Sequence, residues 1–156
     1  MNITHVLASG LALAWLALAP AIAKPAAGNA ATVKGLVGKV TYADQQSNKS
    51  LDAALANDPQ SFADIQTAFE DALKVNLSGS RDLHTAFALA ASGPAGGPGP
   101  YNVAARAHEA LNKRLRGLLD RFKSSIAADQ LKGYRDTLDQ AQRALSDRSG
   151  AVKQRG

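Results

Sequence analysis

The side chains that could carry chemistry are few. His108-Glu109-Ala110-Leu111-Asn112 differs at one position from the H-E-x-x-H pattern of zinc proteases, where two imidazoles one helical turn apart chelate the metal and the glutamate serves as base. Asn112 stands where the second histidine is needed, and a catalytic zinc takes three protein ligands. The segment therefore reads as a histidine on a helix seam with Glu109 solvated beside it. His84 and His108 could in principle meet across helices as axial haem ligands, but without a flanking motif both read as ordinary helix residues. Glu70 and Asp71 are neighbours on a helix, point to different azimuths, and so cannot share a substrate proton.

Other routes to catalysis leave no trace. No G-x-S-x-G elbow occurs, and Ser78-Gly79-Ser80 reads as a loop and cap between two helices. Gly96-Gly97-Pro98-Gly99 lacks the G-K-[ST] ending of a phosphate loop, and its prolines remove amide donors. With no cysteine, the chain can form no disulfide, thiolate zinc site or c-type haem attachment. The sequence assigns no catalytic residue, no metal ligand and no cofactor.

The feature above background is charge. Residues 24–100 carry six basic and seven acidic side chains, whereas 101–156 carry twelve basic and six acidic. Arg106, Lys113, Arg114, Arg116, Arg121 and Lys123 spread over the half-cylinder of helix 102–123 that lies opposite or beside its apolar stripe. Such a face could dock an acidic protein or an acidic polymer, or simply stay solvated. The simplest internal arrangement sets it against Asp64, Glu70 and Asp71. Lipid insertion is disfavoured because Trp15, the sole tryptophan, lies in the leader, and Tyr101 and Tyr134 are too sparse to form a base-stacking platform.

The elements that must position these residues follow from periodicity. Val6 to Ala19 is a 14-residue apolar run, too short to span a bilayer, and Ala21-Ile22-Ala23 is a small-x-small cleavage signature ahead of Lys24. Residues 1–23 therefore read as a signal peptide, although Met1 to His5 contains no Lys or Arg, and the expected location is periplasmic or secreted. Ser92 to Pro100 holds four glycines and three prolines in nine residues and breaks any helix. It reads as a crossover within one domain rather than as a hinge.

Ala104, His108, Leu111, Leu115, Leu118 and Phe122 recur at 4-3-4-3-4, and Leu131, Tyr134, Leu138, Ala141 and Leu145 at 3-4-3-4. The two stripes are out of phase, so a turn near Ser124 to Asp129 folds them into an antiparallel hairpin. Upstream, Asp58-Pro59 reads as N-cap and first helical residue of a helix whose stripe is Phe62, Ile65, Phe69 and Leu73. Ser80 reads as the cap of a short helix carrying Leu83 and Phe87 to about Ala91, and Ser50 to Asn57 as a further turn or two. Val33 to Tyr42 fits helix or strand; helix is preferred because no partner strand exists.

The expected fold is all-α: a bundle of three to five helices, ending in the C-terminal hairpin, after a cleaved leader. It forms one domain over 24–150, with helices in 24–91, the connection at 92–100, the hairpin at 101–148 and a basic tail at 149–156. Only 26 of the 133 residues after position 23 are Leu, Ile, Val or Phe, while alanine fills 32 positions of the whole chain. Such a core is thin at about 25 cal/mol per Å² buried, which suggests that some apolar surface belongs to a partner or to self-association. The functional expectation is an exported soluble bundle acting by protein–protein binding, as adaptor, assembly factor, chaperone-like or inhibitor module. The alternatives are polyanion binding through helix 102–123, and an enzyme or haem or metal carrier built on His108.

Overall fold

A computed structural model describes residues 26–91 and 99–153, and these residues form four long helices with no strand among them. They are α1 (Ala26–Leu55), α2 (Gln66–Ala91), α3 (Gly99–Phe122) and α4 (Ala128–Lys153), with 3₁₀ turns at Phe62–Asp64 and Lys123–Ser125. Residues 1–23, where the leader is expected, and most of the Gly/Pro-rich connection lie outside the described residues. The all-α bundle and its C-terminal antiparallel hairpin are as the stripes require.

Most of the residues that the spacing marks are buried, with Leu131 on α4 and Val33, Leu36 and Val37 on α1 half-buried. On α3, Ala104, His108, Leu111, Leu115, Leu118 and Phe122 are all buried, and on α4 so are Tyr134, Leu138, Ala141 and Leu145. Val33 to Tyr42 is helical, within α1. Lys39 pairs with Asp82, which sets α1 antiparallel to α2, and Arg135 with Asp120 and Arg116 with Asp139 set α3 antiparallel to α4. Asp44, Asp52 and Asp58 meet His108, Arg114 and Arg121 in ascending order, so α1 and α3 run parallel. The bundle is two helical hairpins side by side, with α2 packed against each of the other three helices.

Three local readings of the sequence are corrected. Asp58 is not an N-cap: it takes φ 46°, in the left-handed region, and its N–H donates to the Leu55 carbonyl at 3.2 Å, ending α1. The next element starts at Ser61, where the Asp64 carboxylate accepts from the backbone N–H of Gln60 and of Ser61. Ser78-Gly79-Ser80 is not a loop. α2 runs through it unbroken, because Phe69, Ala72, Asn76, Ser80 and Leu83 stay in one helical phase and are all buried. The last helix also continues past Ser149-Gly150 to Lys153.

The core has two parts. At the end of the bundle that carries both hairpin turns, Phe62, Phe69 and Tyr134 form an aromatic triad with centroids 5.1 to 5.5 Å apart, surrounded by Leu51, Leu111, Leu115 and Leu119. At the other end, Val40, Leu83, Ala86, Tyr101, Ala104, Ala105 and Leu145 form a smaller cluster. Among the described residues, the large hydrophobic side chains left exposed are Tyr42 and Val103.

Candidate functional site

Between the two apolar clusters lies a buried polar layer centred on His108. α3 places the imidazole at the middle of its inward stripe, and α1 brings Asp44, which lies in phase with Val40, Ser47 and Leu51 on its own buried face. α2 supplies Asn76, Gly79 and Ser80 from a single face, three and four residues apart. His108, Asn76 and Ser80 are 0% exposed and Asp44 3%.

The bonding is dense. His108 Nδ1 lies 2.8 and 2.9 Å from the two carboxylate oxygens of Asp44. Nε2 lies 2.8 Å from the backbone carbonyl of Asn76 and 3.1 Å from Ser80 Oγ. A carboxylate and a carbonyl can only accept, so a ring with a proton on each nitrogen satisfies both sides. The Asn112 amide then donates to Asn76 Oδ1 at 2.7 Å and to the Leu138 carbonyl at 3.1 Å, carrying the network to α4. Arg116 Nε donates to Asn112 Oδ1 at 2.9 Å while its terminal nitrogen reaches Asp139 at 2.8 Å, where the network meets solvent.

Serine, histidine and aspartate in this order have the composition of an acyl-transfer triad, but the surroundings deny that chemistry. The shortest contact of Nε2 is to a carbonyl rather than to Ser80 Oγ, so its proton is directed there and the ring offers Ser80 no base. Ser80 lies in the interior of α2, where backbone amides are taken by the helix and none is left to form an oxyanion hole. Ser80 itself is 0% exposed, sealed within the bundle. What the layer does is join all four helices. Removing one member of a buried ion pair typically costs about 3–5 kcal/mol, because the other is left uncompensated.

Gly79 makes the layer possible. A Cβ built there would sit 2.5 Å from His108 Cε1 and 3.1 Å from Nε2, so only glycine lets α2 approach the ring. His84 is exposed on α2, and both nitrogens of His108 are engaged, an arrangement that offers a haem iron no free imidazole pair. Among the described residues no three His, Asp or Glu side chains gather as a metal site. Glu109 is exposed.

The six basic residues of α3 and the turn after it divide into two sets. Arg114 binds Asn48 Oδ1 at 2.7 Å and Asp52 at 2.5 Å, Arg116 binds Asp139, and Arg121 lies 3.3 Å from Asp58 and over the Phe122 ring. Arg106, Lys113 and Lys123 are exposed and form no ion pair among the described residues. The acidic residues expected to face them lie elsewhere. Asp64 caps the turn at Ser61, Asp71 pairs with Lys74, and Glu70 accepts from the Tyr134 hydroxyl at 2.5 Å. That bond, with a second from Gln66, holds the Glu70 carboxyl below its usual range. Burial first, and then the bond to Glu70, push the Tyr134 phenol up to about 12.

Asp44, Asn76 and Gly79 are the residues that sequence reasoning missed. For Asp44 and Asn76 the signal is a polar residue in phase with an apolar stripe, as in Val40-Asp44-Ser47-Leu51 and Phe69-Asn76-Ser80-Leu83. Compared with known protein families, curated proteins and solved structures, the chain matches none of them.

Proposed function

We propose that this protein is an exported helical bundle that acts by binding an acidic surface on another envelope or secreted protein, through the outward side of α3, rather than by catalysis. One observation carries the reading. His108, Asp44 and Ser80 are spent inside the core, while Arg106, Lys113 and Lys123 stand exposed with no ion-pair partner among the described residues. Unpaired surface cations steer and orient an acidic partner rather than stabilise the fold. The apolar run Val6–Ala19 followed by Ala21-Ile22-Ala23 supports export.

The test is capture of a partner from envelope extract by the wild-type chain and by the double variant Arg106→Glu with Lys113→Glu. These two positions are chosen because reversing Arg114 or Arg121 would also break internal ion pairs. Loss of a specifically captured protein in the variant, with an unchanged thermal melt, supports the reading; equal capture by both removes this face as the binding surface.

Polyanion binding is the second reading, favoured by the twelve basic against six acidic residues of 101–156. It requires affinity for a defined acidic polymer that falls steeply with salt as counterions are released. Binding that salt leaves unchanged would exclude it.

A further inference from the structure

We propose that the bundle is built as two tiers that come apart separately: the tier holding the helix ends away from the hairpin turns opens as a unit, with Asp44–His108 as its latch, while the turn-bearing tier stays folded. The inference is independent of what the protein binds.

Three observations support it. The buried layer of Asp44, Asn76, Ser80 and His108 interrupts the hydrophobic core, so that the apolar residues fall into two clusters rather than one. The clusters are unequal. The turn-bearing tier holds Phe62, Phe69, Phe122 and Tyr134 among many leucines, whereas among the described residues three of the buried members of the other tier are alanines and its aromatic contact is the single pair Phe87 and Tyr101. Burial stabilises roughly in proportion to apolar area, so cohesion is concentrated in the first tier.

The turn-bearing tier is also closed by its turns. The turns of the strong tier are bonded to each other, Phe62 N–H donating to Ser125 Oγ at 2.9 Å and Arg121 reaching Asp58. The weak tier contains the start of α1, the end of α2, the start of α3 and the end of α4, and its link from α2 to α3 runs through residues 92–98, outside the described residues. Regions with few large buried contacts open at lower free energy than the global core.

His108 sits at the boundary. The one titratable side chain bonded to it is Asp44 of α1; α2 presents the Asn76 carbonyl and Ser80, and α4 reaches the layer only through Asn112, which Arg116 and Asp139 hold from the solvent side. Separating α1 from α3 in the weak tier therefore has to break the ion pair, while Leu111, Leu115 and Phe122 can remain packed below it.

Native-state hydrogen exchange on the full chain, read residue by residue at rising sub-denaturing urea, tests this. In wild type, amides near Val40, Leu83, Ala104 and Leu145 exchange faster, and with a smaller urea slope, than those near Phe69, Leu115 and Leu138. Leu115→Ala speeds exchange in the turn-bearing tier by about a hundredfold, the usual effect of a buried Leu→Ala change, and leaves the other tier unchanged. Asp44→Asn speeds exchange in both. A single shared rate and slope for both tiers in wild type overturns the proposal, and needs no variant to fold. So does an equal response of both tiers to Leu115→Ala, or an Asp44→Asn chain whose weak tier exchanges as before.

Discussion

The imidazole of His108 rests against the carboxylate of Asp44, Nδ1 being 2.8 Å from one oxygen and 2.9 Å from the other, with both side chains enclosed by the bundle. The two residues are 64 positions apart in sequence, and their contact fixes α1 beside α3 at a single register. A buried pair of this kind opposes any sliding of one helix along the other, since a shift would leave both charges uncompensated.

Asp44→Asn is expected to lower stability by about 3–5 kcal/mol, the usual result of removing one partner from a buried pair. His108→Gln should do the same, and the double variant should lose far less than the two together. Urea unfolding of the four chains measures this coupling. Agreement of the double variant with simple addition, within about 0.5 kcal/mol, would mean that the pair does not act as a unit.

Gly79→Ala should destabilise by about 1–3 kcal/mol although alanine is the better helix former, because the added methyl meets an imidazole held at both nitrogens. Gly133→Ala is the control. It lies exposed in α4 with nothing within 4 Å of the new methyl, and should stabilise by about 0.5–1 kcal/mol. Thermal melts of the two variants should move in opposite directions.

Tyr134→Phe should change how stability depends on pH. The Glu70 carboxyl is held below its ordinary value of 4.5, so the stability it lends is present above that value and is lost as pH falls through the lowered one. The Tyr134 phenol is raised from 10.0 to about 12, so its contribution is present below 10.0 and is lost as pH rises towards 12. The stability difference between wild type and variant should form a plateau at intermediate pH and shrink at both ends. A difference constant from pH 3 to pH 11, in roughly the range where both groups titrate, would contradict this assignment.

The basic residues should separate by role. Arg114→Ala should cost under about 1 kcal/mol through its partly exposed bonds to Asn48 and Asp52. Arg106→Glu with Lys113→Glu should leave stability within about 0.5 kcal/mol of wild type, as exposed positions do, while abolishing capture of the acidic partner. Melts and capture assays on the same preparations check both halves of the statement.

The helices and their buried faces are legible in the sequence because spacing reports phase directly, as the α3 stripe from Ala104 to Phe122 shows. The polar layer is hidden for a different reason. Gly79 and Ser80 break helices by local propensity, and only the approach of His108 from a helix further along the chain explains why α2 continues through them. Asp58-Pro59 fits a helix start equally well until α1 is seen to need a left-handed residue to end on. The six basic residues of 102–123 are likewise equivalent in sequence. Their division into paired and unpaired sets depends on where Asp52, Asp58 and Asp139 come to lie, and no local pattern encodes that.

The account depends on His108 being sealed and structural, with function left to the surface. Acylation of histidines by an imidazole-specific reagent, with modified sites mapped by mass spectrometry over time, measures this directly, because exposed His84 provides an internal standard in the same helical bundle. The account predicts prompt modification of His84 and protection of His108 until the bundle opens; modification of His108 as fast as His84 in the native protein would contradict it.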